Sequence, residues 1–189
     1  MSGDLIKLKE RLKKEITESR YEHSMGVAYT AANLAMKYGL NIEKALIAGL
    51  LHDCAKSMEP KKMLQLCEKN HVEVFEVERK NPGLLHAKAG AILAKEKYDI
   101  HDTEILDAIT WHTTGKPNMT LLEMIVFVAD YIEPHRYKAM NLTEIRKEAY
   151  EDINKATLHI LKDTIKYLEA GKGEIDKMTY NTYQYYNNL

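Results

Sequence analysis

Two adjacent side chains, His52 and Asp53, are the residues of this sequence best suited to chemistry. They follow an unbroken run of apolar and small residues, 45–51, which is typical of a helix buried on all sides. A carboxylate and an imidazole in such surroundings lose hydration, and a buried charge is tolerated only when it is paired or bound to a metal. The pair therefore indicates a polar or metal-binding site inside the protein.

Four further side chains are candidate partners, because each lies in or at the end of an apolar helical stretch. They are His23, His86, His112 and Asp130. Imidazole and carboxylate together suit first-row transition ions such as iron, manganese, cobalt or zinc. Six donors exceed what one catalytic ion with open positions uses, whereas one carboxylate can be shared between two ions about 3.5–4 Å apart. We therefore expect a two-metal site around the His52-Asp53 pair.

Taken singly, most of these residues also have an ordinary structural explanation. A histidine near a helix start, such as His86, is more often a structural residue. His112 could simply favour the C-terminal end of a helix dipole, and Asp130 could pair with an arginine. The set as a whole favours the metal site. Four histidines lack buried surroundings and are expected at the surface or as supports of the ligands: His71, His101, His135 and His159.

The spacing of apolar residues predicts an all-α protein with no convincing strand. Helices are expected at about 5–16, 21–38, 42–52, 60–70, 84–98, 103–112, 121–132, 142–150 and 153–170. Gly39, Asn41, Pro60 and Asp102 stand where helices are commonly ended or begun. Residues 71–81 fit a loop or a short helix, and the Tyr-rich tail from about Lys172 has no clear pattern.

Composition limits the class of protein. The 189 residues carry 27 Lys and Arg against 28 Asp and Glu, so no overall basic field argues for nucleic acid or an anionic membrane. No apolar run approaches the ~20 residues of a membrane helix, and the start has no signal-peptide core. Cys54 and Cys67 form no disulfide framework, so we expect reduced thiols in the cytoplasm. A single domain over 1–189 is the simplest organisation.

The order of a His, a His-Asp pair and a distant Asp resembles the HD-domain metal-dependent phosphohydrolases. Five blocks sharpen the match: Arg-Tyr-Glu-His-Ser at 20–24, His-Asp-Cys-Ala-Lys at 52–56, Leu-Leu-His at 84–86, His-Thr-Thr-Gly at 112–115 and Ala-Asp-Tyr-Ile-Glu-Pro-His-Arg at 129–136. They resemble the YqeK family, bacterial enzymes that split diadenosine tetraphosphate symmetrically into two ADP. The similarity spans about residues 20 to 170.

The resemblance implies an HD-domain-like helical bundle that encloses a binuclear metal site. One ion would be held by His23, His52, Asp53 and Asp130. Asp53 would bridge to a second ion, held also by His86 and His112. A water between two such ions loses a proton near neutral pH, which gives a hydroxide aimed at phosphorus. Iron is the metal that the family suggests, the substrate would be a small nucleotide, and we expect a homodimer.

Cationic groups beside the ligands are expected to hold the phosphates. Lys56, three residues after Asp53, can reach a metal-bound phosphate, and we assign both residues catalytic roles. Arg136, oriented by Glu133, could clamp a distal phosphate with two donors, although a surface ion pair explains it equally well. Arg20 is a weaker candidate for the same task.

A loop rich in hydroxyls follows His112 directly. It contains Thr113, Thr114, Gly115 and Lys116. Its amides and its lysine could cradle a phosphate, although a plain turn between helices explains Thr114 and Lys116 equally well.

Two other functions use the same residues. A phosphohydrolase of nucleoside monophosphates would keep every ligand, whereas the Glu-Asp and Gly-Tyr-Pro signatures of alarmone and cyclic-dinucleotide enzymes are absent. A non-catalytic nucleotide-sensing module is the alternative of another class. A homologue that has lost its catalytic activity would be expected to lack metal ligands or Lys56. All of these residues are present in the sequence.

Overall fold

A computed structural model of the chain describes residues 3–171 and 174–189. Within these ranges the chain forms α-helices and no strand, which confirms the predicted all-α class. The helices are α1 Gly3–Lys13, α2 Glu18–Tyr38, α3 Ile42–Leu51, α4 Pro60–Lys69, α5 Glu76–Lys80, α6 His86–Tyr98, α7 Thr103–Trp111, α8 Leu121–Ile132, α9 Leu142–Glu151, α10 Ile153–Ala170 and α11 Lys177–Asn187. A short 3-10 helix, Pro82–Leu85, precedes α6.

The structure resolves the two segments without a clear sequence pattern. Part of the 71–81 segment forms the short helix α5, and most of the Tyr-rich tail forms α11. Lys172, where the tail was expected to begin, lies outside the described residues. The first helix ends at Lys13 rather than near residue 16.

Side-chain caps fix where the helices that carry the site begin. The Asn41 carboxamide accepts from the amides of Glu43 and Lys44 at the start of α3. The Asp102 carboxylate accepts from the amide of Glu104 at the start of α7. Such caps satisfy amides that have no partner within the helix. Each of these helices ends directly before a histidine. Helix α3 is followed by His52, and helix α7 is followed by His112.

Close packing of α2 against α3 depends on Gly49. A Cβ at this position would lie 2.8 Å from Cα of Ala28 in α2, so only a glycine allows this approach of the two backbones. Because His23 lies on α2 and His52 follows α3, the approach sets the separation of the two imidazoles.

Two groups of buried side chains hold the bundle together. The larger one joins α1, α2, α3, α6, α7, α8, α9, α10 and α11. The smaller one contains Met63, Cys67, Leu85 and Ala89, and it fixes α4 and the 3-10 helix beneath the start of α6. This second group therefore positions His86. Among the described residues, no helix is both long and apolar enough to span a bilayer.

Candidate metal centre

The six predicted ligands converge from five helices. They are His23 of α2, His52 and Asp53 after α3, His86 at the start of α6, His112 after α7 and Asp130 of α8. Their four imidazole rings follow one another edge to face. The ring centroids are 5.2 Å apart for His23 and His52, 4.9 Å for His52 and His112, and 5.2 Å for His86 and His112.

Asp53 lies at the middle of this row, because its two carboxylate oxygens face different histidines. Oδ2 lies 3.5 Å from Nε2 of His52 and 3.9 Å from Nε2 of His23. Oδ1 lies 3.4 Å from Nε2 of His86 and 3.6 Å from Nε2 of His112. One carboxylate thus faces two separate pairs of imidazoles, which is what a carboxylate shared between two ions requires.

Asp130 completes the set on the Oδ2 side of Asp53. Its Oδ1 lies 3.0 Å from Nε2 of His23 and 3.8 Å from Nε2 of His52. Ligand atoms of His23, His52 and Asp130 all lie within 4.8 Å of one another, and so do those of His52, Asp53 and His112. The two groups share His52, so they form one continuous centre.

Backbone carbonyls orient three of the four rings. The Nδ1 atoms of His52, His86 and His112 lie 2.7, 2.8 and 2.7 Å from the carbonyl oxygens of the residues three positions earlier. A proton on Nδ1 satisfies each carbonyl and leaves the Nε2 lone pair for a metal, which is the usual support of metal-bound histidines. The backbone thus selects the tautomer that the centre requires.

Unsatisfied polar atoms test whether the site fits a metal. Nε2 of His23, Nε2 of His52 and Oδ1 of Asp53 are buried and make no hydrogen bond. The 3.0 Å approach of His23 to Asp130 is an ion-pair contact without hydrogen-bond geometry. A buried polar atom without a partner costs about 1–3 kcal/mol. Because all three atoms are donors to transition ions, the residues present fit such a cation.

The electrostatics keep Asp53 and His86 in the protonation states that bind metal. Burial raises the pKa of the Asp53 carboxyl, but the imidazoles of His52 and His112 outweigh it and hold that pKa well below its usual value. Burial, followed by His112 and Lys56, lowers the pKa of His86 to about 3. A carboxylate and a neutral imidazole are the forms that bind a metal.

Three cationic side chains named from the sequence surround the centre. Nη1 of Arg20 lies 2.7 Å from Oδ2 of Asp53, and Nη2 of Arg136 lies 2.7 Å from Oδ1 of Asp130. Nζ of Lys56 lies 3.0 Å from Nε2 of the His86 ring. Burial lowers the pKa of Lys56, and the nearby Asp53 carboxylate opposes this effect. The ligand cluster is therefore lined by donors that suit phosphate oxygens.

Glu133 occupies a different place from the one expected. We expected it to orient Arg136, but the side chain is buried and its Oε1 lies 3.0 Å from Nδ1 of His23. Its Oε2 accepts from the amide of His135 at 2.8 Å. Gly26 makes room for it, because a Cβ there would lie 2.4 Å from Oε2. Glu133 thus supports a candidate ligand rather than Arg136.

The loop after His112 is only partly directed at the centre. Oγ1 of Thr113 lies 3.4 Å from Nε2 of His112, but the Thr114 hydroxyl donates to the neighbouring Gly115 carbonyl. Nζ of Lys116 lies 2.7 Å from Oε1 of the buried Glu123, an ion pair without hydrogen-bond geometry. These contacts differ from the expectation that Thr114 and Lys116 face a phosphate.

The tail helix α11 packs on this same loop, which the sequence did not reveal. The methyl carbon of Thr182 would lie 2.7 Å from a Cβ at Gly115, whose φ is +62°. The Tyr186 hydroxyl accepts from the amide of Met119 at 3.1 Å. The sequence does contain a pattern that predicts this helix. Thr179, Thr182 and Tyr186 follow a helical repeat, and they are the buried residues of α11.

A third cluster of ligand types lies apart from the centre, on α9 and α10. It contains Glu144, Glu148 and His159. The Glu148 carboxylate already pairs with Lys155 at 3.1 Å and with His159 at 2.9 Å. Its charge is therefore compensated by the protein itself.

The helical bundle and its His/Asp centre are those of an HD-type hydrolase. The HD domain profile matches residues 20–135, and the chain belongs to the HD-domain family. A solved structure described as a predicted HD superfamily hydrolase involved in NAD metabolism from Clostridium acetobutylicum is 43% identical, with a TM-score of 0.93. The match covers 97% of this chain and 96% of that one.

Two named relatives narrow the comparison to one group of HD proteins. A symmetrical bis(5'-nucleosyl)-tetraphosphatase of Bacillus subtilis is 38% identical over 92% of this chain and 92% of its own. The protein of the same name from Staphylococcus aureus is 34% identical over 97% of this chain and 95% of its own. The predicted resemblance is thereby confirmed over most of the sequence.

Proposed function

We propose that this protein is a metal-dependent hydrolase that splits diadenosine tetraphosphate symmetrically into two ADP. The observation that carries the proposal is the position of Asp53, whose two oxygens face separate pairs of histidines. This arrangement suits a centre in which Asp53 would be shared between two ions. The relatives named symmetrical bis(5'-nucleosyl)-tetraphosphatase supply the substrate.

The ligand roles follow from the two faces of Asp53. One ion would be held by His23, His52, Asp53 and Asp130, and the other by Asp53, His86 and His112. When bound, the ions supply Lewis acidity and water activated at neutral pH. Iron suits this mixed set of imidazole and carboxylate donors, as do manganese, cobalt and zinc.

The side chains around the centre would then hold the phosphates. Arg20 and Arg136 already reach the two carboxylates, so their remaining N–H groups can donate to the outer oxygens of the tetraphosphate. Lys56, beside His86, is placed to donate from Nζ to a third oxygen. The leaving ADP carries a phosphate that ionises near ~6, so no strong general acid is required.

Three further properties belong to the same proposal. We propose a single HD-type domain over residues 1–189, a homodimer and a cytoplasmic location. The helices outside residues 20–135 support the single domain, because α10 contacts α8 and α11 contacts α10. Free Cys54 and Cys67 are consistent with a reducing compartment.

Turnover after metal removal and return tests the function. Chelator-treated protein should not hydrolyse diadenosine tetraphosphate, and reconstitution with two equivalents of iron or manganese should restore activity. A parallel panel of nucleoside monophosphates should remain intact. Full turnover by metal-free protein, or preferred hydrolysis of a monophosphate, would overturn the proposal. Two bound ions without turnover of any substrate would favour a nucleotide-sensing module.

A further inference from the structure

A cavity of about 450 Å³ is linked to the candidate metal centre through Arg136. Arg136 lines the cavity and donates to Asp130, and Tyr131, the next residue after this ligand, lines it too. Its volume falls in the range of small-molecule sites, roughly 300–1,000 Å³. A molecule in the cavity would therefore lie one side chain away from the candidate ligands.

Two exposed aromatic side chains line the cavity. Tyr137 of the 133–141 loop is 79% exposed and Tyr167 of α10 is 72% exposed, although both line it. Met140, which is 36% exposed, adds a flexible apolar surface to the same lining. Rings this exposed contribute little to the packing of the chain itself. They offer flat apolar faces of the kind on which nucleobases stack.

A nearly buried carboxylate forms part of the cavity wall. Asp163 is 7% exposed, and its two oxygens accept from Nδ2 of Asn141 at 3.1 and 3.0 Å. Nε2 of His159 lies at the margin of contact, 4.0 Å from Oδ2. A carboxylate has about four lone-pair positions; Asn141 occupies two of them, and the Tyr131 hydroxyl interacts with a third. Asp163 therefore retains an acceptor position for a donor placed in the cavity.

We propose that this cavity binds one nucleoside of the substrate, with the base against Tyr137 and Tyr167 and its exocyclic amine donated to Asp163. The proposal rests on the proposed function, because it assigns a place to one end of that dinucleotide. Arg136 stands between the cavity and Asp130, so it would contact the phosphates that join the nucleoside to the metal centre. The centre holds the phosphates, and the cavity supplies affinity for the base.

The test compares two alanine variants of exposed tyrosines. Tyr167→Ala removes a ring of the cavity, and Tyr150→Ala removes a ring of α9 that is 42% exposed and lies outside the cavity. The KM and kcat for diadenosine tetraphosphate and the Kd of ADP would be measured on metal-loaded protein, the Kd by calorimetry. Loss of one base-stacking ring should raise KM and Kd between about fivefold and one-hundredfold. Tyr150→Ala should leave both unchanged.

The outcomes separate this inference from the proposed function. A parallel rise of KM and Kd in Tyr167→Ala alone supports the cavity. If Tyr167→Ala hydrolyses the dinucleotide with unchanged KM and Kd, nucleoside binding in the cavity is contradicted and the proposed function is not. Wild-type protein that binds ADP through Tyr167 without cleaving the dinucleotide overturns the function and leaves the cavity standing. Wild-type protein that neither binds nor cleaves overturns both.

Asp163→Asn tests the assignment of the base amine with little change of shape. Wild-type protein should prefer the adenine dinucleotide to its hypoxanthine analogue, because hypoxanthine carries a carbonyl in place of the amine. In Asp163→Asn the ratio of the two kcat/KM values should fall towards one. A ratio unchanged by the substitution would overturn the role of Asp163 in reading the base.

Discussion

Glu133 Oε1 lies 3.0 Å from Nδ1 of His23, which joins a buried carboxylate at the end of α8 to a candidate ligand of α2. The contact turns the Nε2 atom of His23 towards Asp130. Partners of this kind orient metal-bound histidines and increase their basicity. The geometry of the centre therefore depends on a residue that does not itself face the metal position.

Replacing Glu133 by glutamine should weaken metal binding without destroying the fold. The substitution keeps the size of the side chain and removes its charge, so His23 loses its charged partner. Loss of such a partner typically lowers metal affinity or activity about 10–100-fold. Metal titration of apoprotein measures the effect, and Glu96→Gln on the exposed face of α6 is the matched control. Unchanged affinity in Glu133→Gln would contradict the supporting role.

An alanine at position 49 should destabilise the whole bundle. The new methyl carbon would lie 2.8 Å from the backbone of Ala28, so α2 and α3 must move apart. Overpacking of this kind costs about 1–3 kcal/mol of the free energy of unfolding. Gly171→Ala is the control, since its nearest neighbour lies at 3.5 Å, an ordinary contact. Equal urea midpoints for the two variants would show that the packing of α2 against α3 does not require a glycine at position 49.

Loss of the Lys116 charge should affect stability more than substrate binding. Its partner Glu123 is fully buried and also caps the start of α8. Lys116→Met should therefore leave a buried carboxylate unpaired and reduce the free energy of unfolding by roughly 1–3 kcal/mol. Lys116→Arg, which keeps the charge, is the control. A tenfold rise in the KM of Lys116→Met at unchanged stability would instead indicate that Lys116 contacts the substrate phosphates.

Metal-free protein should lose stability as the pH falls from 6.5 to about 4. The pKa of His86 is lowered from 6.5 to about 3, so in this range the unfolded chain binds a proton that the folded chain does not. Stability then rises with pH and is lost on acidification. The loss should amount to roughly 3 kcal/mol, measured by urea unfolding of apoprotein. In His86→Gln the free energy of unfolding should change less with pH over this range. An equal change in the variant would show that other titratable groups cause the pH dependence.

The convergence of the six candidate ligands could be anticipated from the sequence, because each lies in or at the end of an apolar helical stretch. His52 and Asp53 follow the buried helix α3, and local patterning shows this directly. The roles of Glu133 and Lys116 could not be found in this way. Their partners, His23 and Glu123, are decided by how helices pack and by the absence of a side chain at Gly26.

The packing of the C-terminal helix α11 could not be predicted from the sequence either. A helical repeat of Thr179, Thr182 and Tyr186 is visible in the sequence, but nothing local indicates what it packs against. Its contacts with Gly115 and Met119 join segments about 67 residues apart. Such pairings depend on the assembled bundle, so the structure was needed to reveal that α11 holds the loop after His112.

Product analysis tests the central claim most directly. Metal-loaded protein would be incubated with diadenosine tetraphosphate, and the nucleotides separated by anion-exchange chromatography at early times. Symmetrical cleavage, as proposed from the relatives, should release ADP as the sole product. Release of AMP together with ATP would show that the centre acts on an outer anhydride, which contradicts the symmetrical cleavage proposed from the names of the relatives.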